Sequence, residues 1–219
     1  MDLVDSLIAE GWLKTSEIIR AFKAIKRVDF LPDDIKDLAE LNEALPIDYG
    51  QTISQPLTVA FMMELLQPQP GDKILDIGSG SGYTTALLAA VVSQKSKVKS
   101  QNYNPKFKSD DGKVIGIETI SGLVEFGREN VAKYNFIEKG IVQIVCDDGA
   151  KGCEPEAPYD RILVSASTQK DIPKAWKEQL KPGGRLVCPI NNSIWLIIKK
   201  GENDFEQIEY PGFVFVPLV

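Results

Sequence analysis

The run Lys73-Ile74-Leu75-Asp76-Ile77-Gly78-Ser79-Gly80-Ser81-Gly82-Tyr83 leaves this chain few folds to choose from. A short apolar stretch ends around an acid, and glycine then falls at every second position. Tyr83-Thr84-Thr85-Ala86-Leu87-Leu88-Ala89-Ala90 follows as a good helix former. Strand, glycine turn and helix, in that order, is how a doubly wound α/β sheet receives a nucleotide-like ligand. Glycine lets the backbone come close to a ligand where a Cβ would collide. The same spacing also serves purely structural turns, but here both flanks match the ligand-binding context.

The rhythm continues downstream. Residues 73–77, 113–118, 141–146, 159–165 and 185–189 read as strands, and 83–92, 122–134 and 173–180 as helices between them. Alternation of this kind implies a parallel sheet with helices on both faces. Ile162-Leu163-Val164 is apolar throughout, as a buried parallel strand should be. Residues 193–199 and 205–210 read as an antiparallel pair, and Phe213-Val214-Phe215-Val216 as a last strand. Upstream, residues 2–40 read as helical, with a short helix over 33–41. Ile18, Ile19, Phe22 and Ile25 fall there at helical spacing. Residues 42–55 read as loop, and Pro56 opens a helix to Leu66. The expected division is an N-terminal helical lobe with a substrate loop over 1–55 and a sheet core over 56–219. The core carries a polar, Lys-rich insertion at 93–112.

A chain of 219 residues suits one domain, or one domain with an added small lobe. The net charge is -6, with acids spread along the chain, which argues against a nucleic-acid partner. No apolar run is long enough to span a bilayer. Met1-Asp2-Leu3-Val4-Asp5 offers neither a basic region nor a secretory apolar core, so no export signal is expected. Cys146, Cys153 and Cys188 are sparse and odd in number. They suit a reducing cytoplasm, and no spacing matches a zinc site. Histidine is absent, which excludes Ser-His-Asp and Cys-His catalysis and His-ligated metals within this chain. Any chemistry must use carboxylates, hydroxyls, Lys, Tyr, Cys or a cofactor.

In open α/β sheets the ligand lies at the carboxyl ends of the strands. Those ends carry Asp76 with the loop Gly78–Gly82, then Glu118, Asp147-Asp148-Gly149 and Ser165-Ala166-Ser167. A carboxylate at Glu118 can accept two hydrogen bonds from a ribose diol; it can also be a plain strand-end acid. A dinucleotide loop would read G-x-G-x-x-G with an acid about 20 residues on. This loop reads G-S-G-S-G, and Glu118 lies much further away. That favours an adenosine ligand without a second nucleotide. An S-adenosyl group carries a sulfonium cation, and Asp76 is expected to meet its positive end.

These motifs together resemble the protein-L-isoaspartate O-methyltransferase family, within the class I S-adenosylmethionine-dependent methyltransferases. Ile74–Tyr83 resembles the glycine motif of the class, and Gly50-Gln51-Thr52-Ile53-Ser54-Gln55-Pro56 is similar to the family's own, more specific signature. Ala44-Leu45-Pro46-Ile47, Ala157-Pro158-Tyr159-Asp160, residues 179–187 and Phe215-Val216-Pro217-Leu218 are similar to further family blocks. The resemblance runs from about residue 3 to the end, apart from the Lys-rich insertion.

The resemblance implies a Rossmann-like, mostly parallel seven-stranded sheet. The implied cofactor is S-adenosyl-L-methionine, leaving as S-adenosyl-L-homocysteine. The implied reaction is methylation of the free carboxylate of L-isoaspartyl residues in damaged proteins or peptides, initiating repair through a succinimide. A cytoplasmic monomer is expected, with no membrane or nucleic-acid partner and no metal. Ser54 matches the family's active-site serine, and Gln51, Thr52, Ile53 and Ser54 its substrate-binding stretch. Asp76, Gly78, Ser79, Gly80 and Gly82 match the cofactor loop, Glu118 the ribose-binding acid, and Asp148 and Gly149 the adenine side. Ser54 can also serve as the N-cap of the helix that begins at Pro56, and both roles stay open. Asp48-Tyr49 stands where the family has a small or basic pair, and Asp147 where it has glycine. Two other readings stay open with them: methylation of another carboxylate, such as a pathway-specific peptide aspartate, and cofactor binding without turnover.

Overall fold

The computed structural model describes residues 2–94, 112–168 and 171–218, so most of the insertion expected at 93–112 lies outside the described residues. The chain opens with α1 (Leu3–Ala9) and α2 (Ser16–Ala24), then two 3-10 turns, Arg27–Phe30 and Asp33–Leu38. The second of these replaces the helix expected over 33–41. The stretch 42–55, read as loop, contains a small hairpin of β1 (Leu45–Pro46) and β2 (Thr52–Ile53). Its tip holds Asp48, Tyr49 and Gly50 at φ 72, 51 and 69. Two non-glycine residues in the left-handed region do not announce themselves as a hairpin turn. α3 (Pro56–Leu66) follows, with Pro56 in its first turn as expected.

The sheet then forms from β3 (Lys73–Ile77), β4 (Lys113–Glu118), β5 (Val142–Cys146), β6 (Tyr159–Val164), β7 (Leu180–Ile190), β8 (Ser193–Lys199) and β9 (Phe205–Pro211). Helices α4 (Tyr83–Val92), α5 (Ser121–Ala132) and α6 (Lys174–Gln179) connect them. The spatial order is β5-β4-β3-β6-β7-β8-β9. β3 to β7 pair in parallel, and β8 and β9 add on antiparallel. This is the doubly wound, mostly parallel sheet that the alternating pattern implied.

Along β3 and β4, side chains alternate between the two faces. Ile74 and Val114 join one apolar cluster, and Leu75, Ile77, Ile115 and Ile117 the other. α4 is apolar nearly all round because it is covered twice. The sheet lies beneath it, and α2 crosses its outer side, where Phe22 meets Tyr83 edge to face at 6.5 Å and Arg20 Nε donates to Gln94 Oε1 at 3.0 Å.

Several boundaries shift by one or two residues from the sequence reading, and two further elements differ by more. β7 begins at Leu180, five residues before 185, because its pairing with β6 resumes across the irregular Pro182-Gly183-Gly184 step. The tail 213–216 forms no strand. Gly212 turns it at φ 99, its Phe213 N–H goes to Asn192 O, and Ser167 N–H donates to Val216 O at 2.8 Å. The tail therefore crosses the carboxyl ends of the strands instead of extending the sheet edge.

Candidate functional site

The chain leaves β3 for β4 on one side and later returns to β6 on the other. The carboxyl ends of β3 and β6 thus form the topological switch point where such sheets bind ligands. A cleft opens there. Its floor is the loop Gly78–Gly82, one wall is Glu118 and Gly149, and the opposite wall is the 47–54 segment of the hairpin. Of the residues singled out in the sequence, Gln51, Thr52, Ile53, Ser54, Gly78, Ser79, Gly80, Glu118 and Gly149 all line it. Asp76, Gly82 and Asp148 do not.

Gly78 and Gly80 take φ 76 and 51, and a Cβ on Gly80 would come within 3.3 Å of Ile47 Cδ1, across the cradle. Glu118, at the end of β4, is only 7% exposed. Its Oε2 accepts from Gly80 N at 3.0 Å, and its Oε1 from Thr119 N at 2.8 Å and Ile120 N at 3.0 Å. The carboxylate therefore ties the glycine loop to the entry of α5 and keeps only part of its acceptor capacity for a diol. Gly149 sits so close to β3 that a Cβ would lie 2.6 Å from Ile77 Cγ2. Asp148 caps its own turn by accepting from Ala150 N at 2.9 Å.

Asp76 lies apart from the cleft lining. It is fully buried behind the loop, and its Oδ2 accepts from Thr84 Oγ1 at 2.9 Å and Thr85 Oγ1 at 2.6 Å. It fastens the first turn of α4 and does not line the cleft, whereas the sequence reading had it meet the cationic end of the ligand. Its Oδ1 has no partner among the described residues, nor has the buried hydroxyl of Ser79. Burial pushes the Asp76 carboxyl up from 3.8 to about 6, against the two threonine hydroxyls and with help from the nearby Glu118 charge. An acid that holds its proton more tightly when folded contributes stability in full below its unfolded value. That contribution fades as pH rises through about 6, a change on the order of 3 kcal/mol. Ligand-free Asp76→Asn should therefore gain on the wild type in urea midpoint between about pH 4 and pH 6; a gap independent of pH would contradict the assignment.

Of the two roles left open for Ser54, the structure bears on the cap. The N-cap of α3 is Gln55, whose side chain makes no capping bond. The free amide at Leu57 instead donates to Asn42 Oδ1 at 3.0 Å, while Gln55 Nε2 donates to Asn42 O at 2.8 Å. Asn42 is itself held by buried Arg27, which donates to Ala39 O, Leu41 O and Glu43 O around it. The cap is thus supplied from outside the helix, and the Ser54 hydroxyl has no partner among the described residues. Asn42 and Arg27 were not foreseen, because no local motif ties them to a helix that starts at residue 56.

A second, outer groove adjoins the cleft. It runs between the 43–58 segment and the tail 212–216, and it contains Glu43, Thr52 and Ser54. Tyr49, 63% exposed, reaches from the hairpin tip towards α5, where a Cβ on Gly122 would collide with its hydroxyl. A deep cleft with a glycine cradle and orphaned polar atoms suits a nucleoside-sized ligand, and the open groove beside it suits a chain-like partner.

Residues 1–219 match the family model described as Protein-L-isoaspartate(D-aspartate) O-methyltransferase. A protein of Methanopyrus kandleri named protein-L-isoaspartate O-methyltransferase is 38% identical over 99% of this chain and 89% of its own length. A solved protein-L-isoaspartate O-methyltransferase is 27% identical with a TM-score of 0.82, covering 98% of this chain and 64% of that one. A Plasmodium falciparum protein solved in complex with S-adenosyl-L-homocysteine shares the fold at a TM-score of 0.82 and 22% identity, over 99% of this chain and 96% of that chain.

Proposed function

This chain belongs to the protein-L-isoaspartate(D-aspartate) O-methyltransferase family, and from that premise we propose how its own residues carry the reaction. It is an S-adenosyl-L-methionine-dependent methyltransferase of the free carboxylate of L-isoaspartyl residues, and the methyl ester initiates repair through a succinimide. When bound, S-adenosyl-L-methionine supplies a methyl group activated by a sulfonium and leaves as S-adenosyl-L-homocysteine. Gly78, Ser79, Gly80, Glu118 and Gly149 would hold it in the cleft, with Asp76, Gly82 and Asp148 keeping those groups in place from behind. The cradle and the unpaired Ser79 hydroxyl fit a polar nucleoside ligand.

The acceptor needs little help from the protein. An α-carboxyl titrates at about 3.5, so at neutral pH the isoaspartyl carboxylate is already a nucleophile and no general base is required. That removes the difficulty of an enzyme without histidine. Catalysis becomes positioning, which can supply roughly 7–11 kcal/mol. The hydroxyl of Ser54 aims the carboxylate, with Gln51, Thr52 and Ile53 shaping the approach, and the segment 1–55 acts as the substrate-facing lobe. The observation that carries this reading is that Ser54, its hydroxyl unspent, lines both the inner cleft and the outer groove.

We read the protein as a cytoplasmic monomer acting on peptide chains and not on nucleic acid. The net charge of -6 and the three unpaired cysteines support that reading. No helix among the described residues is long and apolar enough to cross a membrane. Labelled methyl transfer to an isoaspartyl peptide and its aspartyl twin is the direct test. Label is expected on the first alone. Label on the aspartyl peptide would indicate a different carboxylate, and label on neither would mean binding without turnover.

A further inference from the structure

We propose that Ser165 is a second residue that aims the acceptor carboxylate, from the side opposite Ser54. This rests on the methyltransferase reading above. Four residues line both the inner cleft and the outer groove: Thr52, Ser54, Ser165 and Val216. They form the junction between a nucleoside-sized ligand and a peptide in the groove. Three of the four carry hydroxyls, and none of these hydroxyls has a partner among the described residues. All three are reached by solvent, so each hydroxyl is free to donate to an oxygen of a carboxylate that enters the junction.

Ser165 differs from the other two in its support. Thr52 and Ser54 sit in and beside the small β1-β2 hairpin. Ser165 follows directly on β6, which is paired on both sides by β3 and β7. A donor fixed to the central sheet holds its position more closely than one on a loop. Its backbone N–H is committed to Ile77 O at 2.8 Å, which leaves the hydroxyl as the donor it can offer. Among the described residues no Lys or Arg lines either cavity, and the charged ones that do are Glu118 and Glu43. A guanidinium would engage both carboxylate oxygens as a fork and neutralise them. Neutral hydroxyls on two sides hold one oxygen and leave the other free and negative for bond formation.

The test compares Ser165→Ala and Ser165→Thr with the wild type. One readout is calorimetric affinity for an isoaspartyl peptide in protein loaded with S-adenosyl-L-homocysteine. The others are affinity for S-adenosyl-L-homocysteine itself, and kcat/KM for labelled methyl transfer. Ser165→Ala should lose roughly tenfold or more in both peptide affinity and kcat/KM, the usual effect of removing a hydrogen bond to a charged group. Its affinity for S-adenosyl-L-homocysteine should hold, and Ser165→Thr should restore the peptide readouts by restoring the hydroxyl. Unchanged peptide affinity and kcat/KM in Ser165→Ala would overturn the proposal alone, as would a loss confined to S-adenosyl-L-homocysteine. A wild type that methylates no isoaspartyl peptide would overturn the proposal together with the function it rests on.

Discussion

Ser54→Ala is expected to lose roughly 10- to 100-fold in kcat/KM for an isoaspartyl peptide, the range for a hydrogen bond to a charged partner. Its calorimetric affinity for S-adenosyl-L-methionine should stay at the wild-type level. Its unfolding midpoint should stay as well, because the α3 amide at Leu57 is satisfied by Asn42 and not by Ser54. Asn42→Ala supplies the contrast: loss of a helix cap costs about 1 kcal/mol of stability. A Ser54→Ala protein that turns over normally would remove Ser54 from substrate aiming. One that loses stability and turnover together would return it to the cap.

Gly82→Ala should unsettle the molecule itself. Gly82 sits at φ 84, where a Cβ is unfavourable, and that Cβ would lie 2.8 Å from Val131 Cγ2 and 2.9 Å from the backbone oxygen of Gly127. The second neighbour is main chain of α5 and cannot rotate away. The left-handed conformation and the overpacking together amount to roughly 2–4 kcal/mol, a large part of a typical stability of about 5–15 kcal/mol. The thermal midpoint should fall by roughly 5–15 °C. Cofactor affinity should fall with it, since Gly82 N–H closes the loop onto Ser79 O at 2.8 Å. A variant with wild-type midpoint and affinity would show that α4 and α5 can part at no cost.

The two substitutions divide what is local from what is not. Gly82 was legible from its spacing in the loop, because a tight turn into a helix announces itself in adjacent residues. Its reason to be glycine, the backbone of α5 lying some 45 residues on, was not. Glu118 was expected to hold a ribose; its position was readable, but its three backbone donors were not, since they belong to a loop and a helix entry that meet only in the fold. The tail 213–216 has the alternating apolar pattern of a strand, and tertiary hydrogen bonds to Asn192 and Ser167 overrode it.

The sequence alone determined the parallel sheet, the glycine cradle at the end of β3 and the family signature around Ser54. Each of these depends on periodicity or on backbone demands that neighbouring residues express together. Only the tertiary structure decided that Asn42 and not Ser54 caps α3, that Asp76 fastens the first turn of α4 behind the cradle, and that Ser165 and Ser54 both line the place where the cleft adjoins the groove. Those outcomes turn on burial and on partners brought together across long stretches of chain, and no local pattern encodes which side chains will share one cavity wall.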